Sequence, residues 1–334
     1  MDRRNFLKGA AAVSGLALTP KLATSMFGGV FDKPTARVAF IKTTDRAAGV
    51  NRAIDLLGLR SFNGKDIFIK PNFNSVHTFP GSTHIDTLSA VIDKLRKLNA
   101  GKMTIGDRSG MAAHNTREVM EAKDVFHLAK DAKVETMPFD ELTANDWVPV
   151  KRTGHHWQNG FALPKPVMNA GAVVQTCNLK THQFGGHFTL SLKNSVGLAA
   201  KIVPGDSYNY MRELHSSPNQ RTMIAEINSA YQPALIVLDG IDAFINGGPH
   251  TGQQVNPQII LAGTDRIAID AVGVALLRYY GTTPEVSRGK IFEQEQIARA
   301  VQLGLGISSP DQIKLLTNDA ASADFARKIK PLLN

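Results

Sequence analysis

Short apolar runs rich in Val and Ile alternate along the chain with segments whose apolar residues recur at helical spacing. Residues 36–41, 66–70, 102–106, 172–177, 234–238 and 258–262 read as strands. Between and after them the spacing predicts helices over 47–57, 85–98, 116–129, 266–280, 291–303 and 320–332. The second is the clearest, with Leu88, Val91, Ile92, Leu95 and Leu98 on one stripe before Asn99-Ala100-Gly101 ends it. Strands that alternate with helices of 10–15 residues predict an α/β fold, a mostly parallel sheet with helices on both faces. Residues 140–166, with Trp147, His155, His156, Trp157 and several Gly and Pro, break the alternation and read as a small inserted lobe.

The first twenty residues follow a different pattern. Arg3-Arg4-Asn5-Phe6-Leu7-Lys8 precedes a mildly apolar stretch from Gly9 to Leu18, the layout of an export signal. It resembles the twin-arginine translocation motif, and Lys21 after the apolar stretch suits that route. Residues 1–30 are therefore expected to be signal and linker, cleaved between about residues 23 and 31, and residues 31–334 a single α/β domain with its lobe near 140–166. The expected partner is the twin-arginine translocase and the expected compartment the periplasm. That route carries proteins already folded, often with a cofactor bound, which hints at a loaded site. No apolar run approaches the ~20 residues of a membrane helix, so no stable membrane anchor is expected.

Charge and cysteine content narrow the classes. Of the net charge of +9, cleavage before residue 25 would remove Arg3, Arg4, Lys8, Lys21 and Asp2, leaving a modest excess without Lys/Arg runs. With aromatics at 7%, that is a poor nucleic-acid surface. The one cysteine, Cys177, excludes an intrachain disulfide, an iron–sulfur cluster on four cysteines of this chain and a Cys-rich zinc site. It lies in an expected buried strand, where a thiol is inert.

Candidate chemistry gathers where the expected strands end. Lys70 and Asn72 follow the second strand, Asp107 the third, residues 178–182 the Cys177 strand, and Asp239 the next. Ligands of open parallel sheets bind beyond such carboxyl ends, so these residues are expected to share one crevice. The densest stretch, residues 178–201, carries Lys180, His182, His187, Lys193 and Asn194 around Gly185-Gly186 and reads as a loop. Lysines and free N–H groups there suit a small anionic ligand. His182, near neutral pKa, is the expected acid–base group, with Lys193 and Lys70 beside it as catalytic candidates. Asn72, Asp107, Lys180, Asn194, Asp239 and His250, the last in a second glycine loop, are ligand-binding candidates. A divalent metal, the one cofactor considered, would draw on His182, His187 and Asp107; the two histidines are five apart, off the spacing of a helical pair. The expected protein is either an enzyme of unnamed reaction or a periplasmic binding protein that uses the same residues without turnover. Phosphate-loop, dinucleotide, GxSxG and HExxH motifs are all missing from the sequence.

At these residues the chain resembles the domain-of-unknown-function 362 family. The likeness lies in Lys70-Pro71-Asn72, Gly106-Asp107-Arg108-Ser109-Gly110, Leu179-Lys180-Thr181-His182, Ser191-Leu192-Lys193-Asn194-Ser195-Val196-Gly197, Asp239-Gly240-Ile241, Gly247-Gly248-Pro249 and 265–272. It covers roughly residues 36–280. Some relatives add a ferredoxin-like iron–sulfur module, whose cysteines this chain lacks. More faintly, His182, Gly185-Gly186, Lys193 and Gly197 are similar to the nickel-pincer lactate racemase. That likeness implies that Lys193 carries a metal-associated cofactor.

Overall fold

The computed structural model describes residues 34–110 and 113–334, so the expected signal and its cleavage region lie outside the described residues. The chain begins β1 (Ala36–Lys42), α1 (Arg46–Leu57), β2 (Ile67–Lys70), α2 (Ile85–Lys97), β3 (Met103–Asp107). Then follow α3 (Thr116–Ala122), α4 (Val125–Asp131), β4 (Glu135–Pro138), β5 (Trp147–Val150), β6 (Phe161–Pro164) and the one-turn α5 (Lys165–Met168). The middle holds β7 (Ala172–His182), β8 (His187–Thr189), α6 (Ser191–Asn194), α7 (Tyr210–Ser216) and α8 (Gln220–Ile227). It ends β9 (Pro233–Gly247), β10 (Gly252–Val255), β11 (Ile259–Gly263), α9 (Arg266–Tyr279), α10 (Pro284–Ser287), α11 (Glu295–Gln302), β12 (Ile313–Leu316), α12 (Ala320–Ile329).

The main sheet runs β12-β1-β11-β9-β7-β2-β3-β4, with β8 paired to β7 and β10 to β9. From β9 to β4 every neighbour is parallel, and so are β1 and β12. β11 is antiparallel to both its neighbours, the one departure along this path from the parallel expectation. The period of two in each strand sorts the core. Val38, Phe40, Ile236, Leu238, Ile259 and Leu261 pack against α9, α11 and α12. Their alternates Ala39, Ile41, Leu235, Val237, Ile260 and Ala262 pack against α1 to α4. Helices therefore cover both faces. A third cluster joins Phe68, Trp147, Phe161, Leu214 and Ile224. Within the 140–166 interruption, β5 and β6 form a two-stranded antiparallel sheet of their own.

Several elements differ from their expected form. The helix expected over 116–129 is two, broken where Asp124 takes a left-handed φ of 57°. That over 291–303 opens with a 3-10 turn before α11. Helices α7 and α8 were not expected: each spans two turns around Ser217-Pro218, too short for a periodic stripe. The largest difference lies in β7 and β9. Their ladder does not end at Cys177 and Leu238; it pairs Asn178 with Asp239 and, past a bulge, Lys180 with Phe244. Both strands thus overhang the ends of β2 and β3, and β8 and β10 fold back on the overhang as hairpins.

Candidate functional site

Beyond the ends of β2 and β3, under the β7 overhang, lies a cavity of about 530 Å³. Lys70 and Asp107, the last residues of β2 and β3, form its floor. Lys180 and His182 on β7 with Thr189 on β8 make one wall. Lys193 and Asn194 on α6, then Gly197, make another, and Arg108, Met211 on α7 and Gln220 on α8 close it. Five of the lining residues carry a cationic side chain (Lys70, Arg108, Lys180, Lys193, Lys201), against the single carboxylate of Asp107.

Most of these polar groups are already engaged. Lys70 Nζ lies 2.8 Å from Asp107 Oδ1, and both residues are buried. Lys70 also donates to Pro71 O and Asn194 Oδ1. Asp107 accepts from the N–H groups of Phe73 at 2.6 Å and Arg108 at 2.7 Å. Burial raises the Asp107 carboxyl above its ordinary value, against the opposing pull of the Lys70 ammonium. Lys180 donates to Asn72 Oδ1, Gly81 O and Pro249 O at 3.0, 2.6 and 3.0 Å, which uses all three of its protons. Arg108 is held by the carbonyls of Ala199, Ser109 and Val196 and by Met211 Sδ. Asn194 accepts from Lys70 and Asn72 and donates to Thr176 O, tying α6 to the sheet. Lys180, Asn72 and Asn194, expected to contact ligand, line the cavity with polar groups already hydrogen-bonded within the protein.

Three groups are different. Lys193 makes no hydrogen bond or ion pair with any described residue, although it is only 8% exposed. His182 Nδ1 and Thr189 Oγ1 are buried without a partner among the described residues, in residues 8% and 4% exposed. A methyl group placed on Gly186 would lie 2.4 Å from Lys193 Cε and 2.9 Å from His182 Nδ1, so the amine stem and the ring nitrogen face each other across this glycine. Burial, then the Arg108 charge, lowers the Lys193 pKa from 10.5 to about 8. Burial and the charges of Lys193 and Lys180 push His182 well below its ordinary value, so its ring is neutral at pH 7. His215, which lines the cavity from α7, donates from Nδ1 to Met211 O and keeps Nε2 as an acceptor.

Positions are set by neighbours far away in sequence. The buried Asp270 on α9 accepts from the backbone N–H groups of Ser191 and Leu192, fixing the start of α6 and hence Lys193. The turn at 184–186 is held through its carbonyls by Gln220, Arg221 and Gln296. Gly197 leaves room for the ion pair, since a Cβ there would meet Asp107 Oδ1 at 2.3 Å and Lys70 Nζ at 2.9 Å.

Lys70, Asn72, Asp107, Lys180, His182, Lys193 and Asn194 thus meet at one cavity, as expected from the strand ends. Three candidates do not. Asp239 shares its parity on β9 with Leu235 and Val237 and faces α1 and α2, where Arg46 Nε at 3.0 Å and the Thr87 hydroxyl bind it. His187 is the cross-strand partner of His182 but lies outside the cavity lining, at a φ of 60°. His250 stacks on Phe184 and packs at a tilt against His77, and only its neighbour Pro249 lines the space. The expected metal set of His182, His187 and Asp107 is not a cluster: among the described residues no three His, Cys, Asp or Glu are placed to hold an ion. Sequence reasoning missed Arg108, Thr189, His215 and Gln220. Arg108 stands inside the Asp107 motif, whereas His215 and Gln220 sit on the two helices with no readable stripe.

Comparisons with known proteins extend the picture. A search of curated proteins finds no match. Among solved structures the chain is similar to the lactate racemase apoprotein from Thermoanaerobacterium thermosaccharolyticum. Identity is 16% and the TM-score 0.45, over 70% of this chain and 54% of that one. This chain thus spans about half the length of that protein. Residues 1–20 match the twin-arginine translocation pathway signal sequence, which implies export across the membrane. No helix among the described residues is long and apolar enough to cross it. The family described as Domain of unknown function (DUF362) matches residues 67–275, from β2 into α9. That span contains every side chain lining the cavity, and the chain belongs to this family.

Proposed function

We propose that the cavity binds a small organic anion, a carboxylate or phosphate ester, and that His182 and Lys193 exchange protons with it, in a periplasmic protein exported by the twin-arginine translocase. One observation carries the reading. Lys193, His182 and Thr189 are each more than nine-tenths buried, have unpartnered polar atoms, and line one cavity with a cationic excess. Buried polar groups are normally paired within the fold, so these three are built for a partner from outside it. Arg108, held by protein carbonyls and Met211 Sδ, keeps positive charge at the wall without needing contact, and Lys180, which burial lowers to about 7, adds charge when protonated; both favour an anion at short range in low dielectric. The neutral His182 ring accepts a proton at Nδ1, and Lys193, near half-protonation at pH 8, delivers or takes one. The same groups without turnover would make a binding protein.

A second reading is favoured by the facing of Lys193 and His182 across Gly186. In it Lys193 would carry a metal-associated cofactor and His182 would offer the ring nitrogen to its metal, which would supply a Lewis-acid centre beside the anion. Mass spectrometry and elemental analysis of the exported protein separate the two. A small acid released on denaturation supports the first; added mass on Lys193 with a bound metal supports the second. Calorimetry with oxalate and phosphate tests the anion directly. Lys193→Ala and His182→Ala are expected to remain folded and to lose about 1.5–3 kcal/mol of binding each, the worth of a hydrogen bond to a charged group. A wild-type cavity that takes up neither anion overturns the reading.

A further inference from the structure

Lys193 has a property that charge neutralisation does not call for. Lys70 and Lys180, in the same cavity, fix their ammonium groups with protein oxygens and, for Lys70, a carboxylate. Lys193 finds no acceptor among the described residues, and its Cε and the unpartnered Nδ1 of the neutral His182 ring both border Gly186. An amine that is desolvated, uncommitted and next to a base is the arrangement of a nucleophilic lysine. Thr189, its hydroxyl also unpartnered, stands on the same wall.

We propose that Lys193 forms an imine with the carbonyl carbon of a 2-oxo acid whose carboxylate is held by the cationic wall. This deepens the anion reading and rests on it. The neutral amine adds to the carbonyl carbon, forming the N–C bond, while the carbon–oxygen π pair moves to oxygen. One N–H proton passes through His182 Nδ1 to that oxygen, giving a carbinolamine. The proton lost when the ammonium became neutral returns through His182 to the hydroxyl. Water then leaves with the C–O bonding pair, and the nitrogen lone pair completes C=N. Ammonium and carbonyl thus give iminium and water, with no electron donor or acceptor. Thr189 supplies a hydroxyl donor for the developing oxyanion.

The test uses the full exported chain, pyruvate, 2-oxoglutarate and phenylpyruvate as probes, and borohydride to reduce any iminium to a stable secondary amine. Peptide mass mapping is expected to find one adduct per chain, on Lys193, with at least one of the three acids. Acetone, which has the carbonyl but no carboxylate, gives none, and oxalate suppresses the adduct. His182→Gln slows its formation by about 10²-fold or more, the usual worth of a positioned acid–base group. The proposal is overturned if none of the acids marks Lys193 while oxalate still binds. Adducts scattered over surface lysines with Lys193 bare, or a Lys193 already carrying another group in the exported protein, overturn it equally. If oxalate also fails to bind, the anion reading falls with it, which separates the two failures.

Discussion

At the scale of single residues, the division between engaged and uncommitted side chains is the informative one. Lys70, Lys180, Arg108 and Asn194 look equal to Lys193 in the sequence, yet only Lys193 ends without a protein partner. Its cost is pH-dependent in a defined direction. In the unfolded chain the amine titrates near 10.5 and in the fold near 8, so between these values the unfolded state holds more protons and stability rises with pH. Below 8 the penalty of a buried charge beside Arg108 is present. Lys193→Met is therefore expected to raise the denaturation midpoint at pH 7 and to remove part of the gain that wild type shows from pH 8 to 10. Urea titrations at pH 7, 8 and 10 check this; Lys180, whose pKa the Lys193 charge helps to lower, contributes with the same sign. A variant less stable than wild type at pH 7 would mean that Lys193 is paired in solution.

At the scale of elements, two glycines show how the overhang and α6 share the space. Both have ordinary φ, so only room decides. An added Cβ at Gly197 meets Asp107 and Lys70, which are locked by their other bonds. Gly197→Ala is expected to break the buried pair and cost about 3–5 kcal/mol, the usual loss when a buried ion pair is broken. At Gly186 the atoms in the way are Cε of the flexible Lys193 chain, which can move aside, and, less tightly, Nδ1 of the His182 ring. Gly186→Ala should therefore melt within a few degrees of wild type while losing oxalate binding by at least tenfold, about 1.4 kcal/mol. Thermal melts beside calorimetry read both, and equal destabilisation by the two variants would contradict the difference in rigidity. Strand and helix positions were legible here because period-2 and period-3.6 patterns are local. The lengths of β7 and β9 were not: Lys180, Thr181 and His182 read as a polar loop, and only pairing with β8 and β9 makes them strand.

At the scale of the whole molecule, export and folding are written in separate parts of the chain. Arg3 and Arg4 lie in the region that matches the twin-arginine signal, and the cavity uses residues 70–249. Arg3→Lys with Arg4→Lys is expected to strand folded protein in the cytoplasm, with oxalate affinity unchanged; fractionation and calorimetry measure the two. Undiminished export of the double variant would show another route. By itself the sequence determined the export signal, the α/β class, the longer helices, half of the strands, and the strand ends where chemistry gathers, because each is set by composition or by spacing within about fifteen residues. Only the tertiary structure decided which polar groups serve each other and which are left for a ligand. The parity of Asp239 on β9 turns it to Arg46 and Thr87, and Asp270, far along the chain, fixes the turn that presents Lys193. A charged side chain finds its partner through the register of strands and the packing of distant helices, and neither is encoded within the few residues around it.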